Sequence, residues 1–222
     1  MKDAIIHECR QNSDEWRALR SGRIGGTSAA TLLVNGKADD GLGVGAKSVV
    51  YRKAAEFITG PAEDDGYMSA AMQRGHDLEP VARRRYENET FQSVREVGYI
   101  SRGEFLGVSP DGLVGEDGGI EIKCLNAEEH ARFFDTRFFD KKYYYQCQWA
   151  MFLTGRTWWD FVMYHPEFGD LDIIIERLEP DAQAFKTWEK KIPVYLAEIQ
   201  RVLWKIDAVK NSENGTQVNI LR

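Results

Sequence analysis

Apolar positions along the chain switch between a spacing of three to four and a spacing of two, and these switches predict the order of elements. Asn12 and Glu15 have capping-box spacing, and Trp16, Leu19 and Arg20 continue a short helix that breaks at SGRIGG. A glycine-rich turn leads into a second helix at TSAATLL, and residues 37–45, rich in Gly and Asp, read as a loop without core. Residues 47–59 predict a helix closed by Gly60-Pro61 and the acidic loop AEDDG. Over 69–88, Met72, Gly75 or His76, Glu79, and Ala82 or Arg83 recur on one face of the next helix. The period then shortens. SVREVGYI, EFLGVS, DGLVG and GIEIKC are four extended segments divided by Gly and Pro, which predicts a β-meander.

Helices at about 127–134 and 140–154 follow, then strands at TWWDFVMYH and LDIIIERL. From Asp181 to about Lys205 a last helix carries Phe185, Trp188, Ile192, Tyr195, Leu196, Ile199 and Leu203 as its apolar stripe. Residues 207–222 lose that stripe and read as a frayed tail behind a single domain spanning 1–206. The fold class expected is α/β, a central mixed sheet flanked by helices.

With 222 residues, 43% of them hydrophobic, the chain can bury one sizeable core. No run approaches the roughly 18 apolar residues that span a bilayer. The start, MKDAIIHECRQNSDEW, turns polar too early for a signal peptide, so a cytoplasmic protein is expected. Cys9, Cys124 and Cys147 form no CxxC pair and are expected as thiols, and the sequon at Asn214–Thr216 is then chance. The net charge of −6 argues against a protein that coats nucleic acid. Charge is uneven, however: residues 1–53 carry 9 Lys and Arg against 6 Asp and Glu, whereas residues 54–130 carry 7 against 16. Such an acidic middle is either a solvated face or a site for a hard cation.

The densest chemistry lies at GVSPDGLVGEDGGIEIKC, residues 107–124. Asp111 ends one strand and Glu121 lies on another, with nine residues between, a gap that a short hairpin closes so that the two carboxylates meet. Residues i and i+2 of a strand face one side, so Glu121 and Lys123 project together while Ile120 and Ile122 pack on the other. Two carboxylates with a backbone carbonyl between them suit Mg²⁺ or Mn²⁺, and a neighbouring lysine can orient or deprotonate a metal-bound water. That is equipment for phosphodiester hydrolysis. By itself the pattern is weak, because Asp-Gly after Pro is an ordinary turn and Glu-x-Lys is common on exposed strands. Glu79 on the inward face of its helix offers a third carboxylate, or else a surface partner for Arg83. Gln146 and Gln148 stand among aromatics in YYYQCQWAMF; Gln148 could fix a water or Lys123, and either amide could simply satisfy core polarity.

Five blocks taken together, RSGRIGGTSAA, GHDLEPVA, VSPDGL, IEIKC and QCQWAMF, resemble in order and spacing the lambda-type phage recombination exonucleases, or alkaline exonucleases, a branch of the PD-(D/E)xK nuclease superfamily. The resemblance runs from about Trp16 to Tyr164. It implies a restriction-endonuclease-like core and a Mg²⁺-dependent enzyme with two ions per site, Mn²⁺ substituting. That enzyme would digest the 5′-ended strand of duplex DNA processively as a ring-shaped homotrimer, beside a single-strand annealing protein. It also implies site roles: Asp111, Glu121 and the Ile122 carbonyl as metal ligands, Lys123 beside the nucleophilic water, Glu79 as the helical carboxylate serving a second ion or acting through water, and Gln148 as the motif amide. Arg20 matches the arginine that grips a terminal 5′ phosphate, and Ser109 a hydroxyl serving the same group. Where the family reads Arg-x-Gly-x-Ile-Thr-Ala-Ser, this chain reads Arg20-Ser-Gly-Arg-Ile-Gly-Gly-Thr27 with Ser28 following, so the resemblance leaves open which of Thr27 and Ser28 binds the phosphate. A guanidinium ahead of a helix N-terminus is in any case a ready anion site.

Three other readings compete. A restriction-type or structure-specific endonuclease could use the same core but lacks an added sequence-reading element. A non-catalytic DNA-end-binding subunit would not need Glu121 and Lys123 intact. A two-carboxylate glycosidase would need neither Lys123 nor the phosphate turn.

Overall fold

The structure, a computed structural model, describes residues 3–37, 41–61 and 69–213. The predicted acidic loop AEDDG, the sequon at Asn214–Thr216 and the end of the predicted tail lie outside the described residues. Strand β1 (Ala4–His7) precedes helices α1 (Asp14–Arg20), α2 (Gly26–Leu33), α3 (Val44–Thr59) and α4 (Ala70–Thr90). Five strands follow: β2 (Val94–Arg95), β3 (Tyr99–Arg102), β4 (Leu106–Val108), β5 (Gly112–Val114) and β6 (Gly118–Lys123). Helices α5 (Ala127–Thr136) and α6 (Lys141–Thr154), strand β7 (Trp158–Tyr164), a 3₁₀ turn at Pro166–Leu171, strand β8 (Ile173–Leu178) and helix α7 (Ala182–Glu213) complete the chain.

The central sheet is mixed, in the order β2-β5-β6-β7-β8, with β6 and β7 parallel and the other neighbours antiparallel. Parallel neighbours cannot be joined by a tight turn, and α5 with α6 form the crossover between them. Strands β1, β3 and β4 form a separate antiparallel sheet. The predicted meander is therefore split. Strands β4 and β5 do not pair but enter different sheets on either side of Ser109-Pro110-Asp111. SVREVGYI is likewise two strands in different sheets, parted at Val97 and Gly98. A Cβ on Gly98 would lie 1.9 Å from the Cys9 carbonyl oxygen, so only glycine lets the chain leaving β1 pass there.

Each face of the central sheet is covered. Ile120, Ile122, Val162 and Tyr164 pack with Ala82 and Tyr86 of α4. The other face sets Trp159, Phe161 and Met163 into one core with Cys147, Trp149 and Met151 of α6 and with Trp188, Ile192, Tyr195 and Ile199 of α7. Trp149 and Trp188 meet edge to face at 5.2 Å.

Element ends differ from expectation in small, explicable ways. Ser13, one residue after Asn12, caps α1: its Oγ accepts the Trp16 N–H at 3.2 Å, while Asn12 sits at φ 65° with its amide 2.7 Å from His76 Nε2. Helix α3 starts at Val44 rather than 47, after Gly43, and α7 runs on to Glu213, past the end of its apolar stripe, since backbone bonds propagate a helix already nucleated. The three cysteines are free thiols, as expected. No described helix is long and apolar enough to cross a membrane.

Candidate active site

A turn at residues 115–117 joins β5 to β6, and Gly112 pairs with Ile120. That register places Asp111, one residue before β5, beside the second half of β6. Asp111 Oδ2 accepts the Ile122 N–H at 2.6 Å. Alternation along β6 sends Ile120 and Ile122 into the α4 cluster and turns Glu121 and Lys123 to the opposite face. There Lys123 Nζ donates to Glu121 Oε1 at 2.6 Å and to the Ile122 carbonyl at 3.2 Å. The hairpin thus brings together the two carboxylates, the carbonyl and the lysine.

Burial sets the electrostatics. Glu121 is 7% exposed, and desolvation pushes its carboxyl up to about 7 although the Lys123 ammonium pulls the other way. Burial also opposes charge on Lys123, but Glu121 and Asp111 outweigh it and hold the ammonium protonated. Glu79 of α4 is raised by burial and by Asp111, against the pull of Arg83 and Lys123. Its Oε1 accepts from Arg83 Nη2 at 2.7 Å, so the pairing with Arg83 and the approach to Asp111 coexist. Crowded carboxylates in a desolvated site favour a bound cation. Asp111, Glu121 and the Ile122 carbonyl are hard oxygen donors on one hairpin, the set expected for an ion that takes one or two carboxylates and keeps its waters. Among the described residues no three His, Cys, Asp or Glu side chains close around one point, so Glu79 is not part of a preformed cage.

A cleft of about 500 Å³ runs from Asp111, Glu121 and Lys123 to Arg20, Arg23, Arg52 and Lys53. The turn between α1 and α2 forms its far wall. Ile24 stitches that turn to β4: its N–H donates to the Phe105 carbonyl at 2.7 Å and its carbonyl accepts the Gly107 N–H at 3.0 Å. Glu56 of α3 braces the same turn by accepting the Gly22 N–H at 2.9 Å and Lys53 Nζ at 2.7 Å. The Arg20 guanidinium lies over the Trp16 ring at 4.0 Å, and Trp16 Nε1 donates to Ser109 Oγ at 2.9 Å. Burial lowers both Arg20 and Lys53, which leaves two poorly hydrated cations facing the cleft. Thr27 is exposed in the first turn of α2, behind Gly25 at its N-cap, where backbone N–H groups have no helical partner. Ser28 is 4% exposed, and its Oγ already accepts from Arg52 Nη2 at 3.2 Å.

The YqaJ-like viral recombinase domain matches residues 15–157, a span that holds the hairpin and both walls of the cleft. The chain belongs to the YqaJ-like viral recombinase family. Among solved structures it is similar to LHK-Exo, an alkaline exonuclease from Laribacter hongkongensis, at 34% identity and a TM-score of 0.78, with 90% of this chain and 99% of that one covered. A structure of LHK-Exo in complex with dAMP matches at 33% identity and a TM-score of 0.79, with the same coverage. A phage-related exonuclease from Haemophilus somnus 129PT shares the fold at 16% identity and a TM-score of 0.65, over 86% of this chain and 99% of that one. No curated protein sequence matches significantly. The lambda-exonuclease-like resemblance read from the five blocks therefore holds, and the chain is homologous to nucleases that act on DNA.

Within this family frame the expected site residues fall into two groups. Asp111, Glu121, Lys123, Arg20, Thr27, Ser28 and Ser109 all line the one cleft, and Glu79 lines a second hollow that shares Asp111. Gln148 stands apart from the residues that line the cleft. It is fully buried, its Nε2 donates to the Glu179 carbonyl at 2.8 Å and its Oε1 accepts the Asp181 N–H at 2.7 Å, so its amide ties α6 to the start of α7. Of the two α6 glutamines it is Gln146 that lines the cleft, with Oε1 buried and unpartnered. Residues two apart on a helix point about 200° apart, and with aromatics on both sides the sequence held no sign of which glutamine faced the site. Arg52, Lys53 and Glu56 of α3 carry no sequence signal for the site because α3 meets the hairpin only in the tertiary fold, whereas Arg23 lies in the quoted turn beside Arg20 without a motif role of its own.

Proposed function

We propose that the protein is a Mg²⁺-dependent DNA exonuclease that digests one strand of linear duplex from its 5′ end and leaves a 3′ single-stranded overhang for recombination by strand annealing. The observation that carries this reading is the single cleft, with Asp111, Glu121 and Lys123 at one end and the desolvated Arg20 beside the N-terminus of α2 at the other. An end that binds an anion next to a hydrolytic end measures one nucleotide from a terminal phosphate.

Asp111, Glu121 and the Ile122 carbonyl would hold the metal, with Glu79 reaching a second ion or a bound water once Arg83 releases it. Bound Mg²⁺ supplies a Lewis acid at the scissile phosphate and a water of lowered pKa. Lys123, kept protonated by its two carboxylates, donates hydrogen bonds that orient the attacking water and steadies the charge that builds on the phosphate. Arg20, Thr27 and Ser109 hold the 5′ phosphate, Ser28 being the more buried of the two α2 hydroxyls. Breaking the P–O3′ bond frees a 5′ mononucleotide and leaves a new 5′ phosphate for the same grip. Assembly as a homotrimeric ring around the duplex, and hand-over of the overhang to an annealing protein, belong to the same proposal; a ring would let an acidic chain stay on DNA by topology.

Linear duplex labelled at either terminus, incubated with and without Mg²⁺ beside a covalently closed circle, tests it. Early Mg²⁺-dependent loss of the 5′ label with the circle intact is expected. Cleavage of the circle at the linear rate would replace this reading with an endonuclease.

A further inference from the structure

Trp16 touches two of the candidate phosphate ligands at once, Arg20 and Ser109, through different parts of its indole. Its ring face carries the Arg20 guanidinium at 4.0 Å, and its Nε1 donates to Ser109 Oγ at 2.9 Å. We infer that Trp16 is the positioning residue that makes the cleft select a phosphorylated DNA end, by fixing Arg20 and Ser109 together in the donor arrangement a phosphate needs. The inference rests on the proposed grip of Arg20 and Ser109 on the terminal phosphate.

The argument is one of donor bookkeeping. An indole N–H can only donate, so the Ser109 oxygen accepts from it and the serine's own hydrogen has to point away from the ring. The hydroxyl hydrogen is then free to turn into the cleft, and Ser109 presents a donor to whatever binds. An anionic phosphate oxygen accepts that donor. The ring does the equivalent for Arg20, because a guanidinium held over an indole face by the cation–π attraction is fixed in place without spending any of its N–H groups. Arg20 is half-buried, and that burial lowers its pKa. The elements concerned are held independently: α1 is capped by Ser13, and Gln11 Nε2 donates to the Pro110 carbonyl at 2.9 Å, which ties the segment before α1 to the one bearing Ser109. Trp16 therefore acts within a frame that its own replacement does not dismantle. A 5′ hydroxyl end offers no anion to these donors and gains little from their alignment.

Two substitutions separate the two contacts. Trp16→Phe keeps a ring under Arg20 and removes the N–H, whereas Trp16→Leu removes both. The readout is the ratio of initial digestion rates on 5′-phosphorylated and 5′-hydroxyl linear duplex, with Mg²⁺ saturating and the melting temperature of each variant recorded. The ratio is expected to fall by about threefold or more in Trp16→Phe and to approach one in Trp16→Leu. In the Trp16→Phe background, adding Ser109→Ala is expected to lower the ratio no further, because the serine has already lost its orientation. A folding defect would slow both ends in proportion and leave the ratio alone, so equal slowing, or no change, in both variants overturns the inference. A wild-type ratio of one would instead overturn the phosphate grip itself, and the inference with it.

Discussion

Asp111 accepts the Ile122 N–H at 2.6 Å, which locks a carboxylate before one strand to the backbone that carries Glu121 and Lys123 on the next. The spacing of the reactive groups is thereby set by hairpin register rather than by side-chain flexibility. Asp111→Asn keeps an acceptor for that N–H and loses only the charge, and Glu121→Gln is its counterpart on β6. Each is expected to cut Mg²⁺-dependent digestion by about 100-fold or more while the melting temperature stays within about 5 °C. Thermal unfolding alongside single-turnover digestion checks both halves; an active Asp111→Asn would remove Asp111 from the metal site.

The buried Glu121 carboxyl is raised to about 7 from its ordinary 4.5, so in the ion-free protein it takes up its proton at a higher pH than a free carboxylate does. Its contribution to stability is present at low pH and fades as pH rises through about 7. Metal binds the ionised form only. Saturating Mg²⁺ should therefore raise the melting temperature more at about pH 8 than at about pH 6. The same increment at both pH values would contradict a metal bound to Glu121.

Ca²⁺ takes the same oxygen ligands but prefers looser, higher-coordinate geometry. Fluorescence anisotropy should show labelled duplex bound with Ca²⁺ in place of Mg²⁺, with no digestion over the time in which Mg²⁺ completes it. Robust Ca²⁺-driven cleavage would count against the metal chemistry proposed for the hairpin.

The two glutamines of α6 should separate by phenotype. Gln148→Leu strands the Glu179 carbonyl and the Asp181 N–H and should cost about 1–3 kcal/mol of stability. Gln146→Leu removes an unpartnered buried oxygen and should leave stability within about 0.5 kcal/mol while lowering digestion. Denaturant unfolding and digestion rates measured side by side decide the matter; the reverse pattern would return Gln148 to the site.

The contrast between those two residues marks how far the sequence could be read. Where chemistry follows strand alternation and a short turn, as for Asp111, Glu121 and Lys123, local spacing was enough, and the mixed sheet flanked by helices followed from the period of the apolar residues. Where geometry depends on which side of an all-round apolar helix faces the cleft, local spacing carried no signal. The meander was over-joined because pairing across Pro110 depends on which sheet each strand enters. Strand β1 was overlooked because it has four residues and leaves Ile5 and Ile6 exposed. The cationic wall was only half visible, since Arg20 and Thr27 lie in a recognisable turn while Arg52 and Lys53 reach the same cleft from α3.

Lys123 joins the two halves of the proposed metal site, because its Nζ bonds both to a candidate metal-binding carboxylate and to the Ile122 carbonyl. The measurement is the single-turnover digestion rate of Lys123→Ala on 5′-phosphorylated linear duplex at saturating Mg²⁺, with folding verified by circular dichroism. A group that orients the nucleophile and steadies developing charge contributes about 10²- to 10⁴-fold, and a loss in that range is predicted. Near-normal turnover in a folded Lys123→Ala protein would contradict the chemistry assigned to the hairpin.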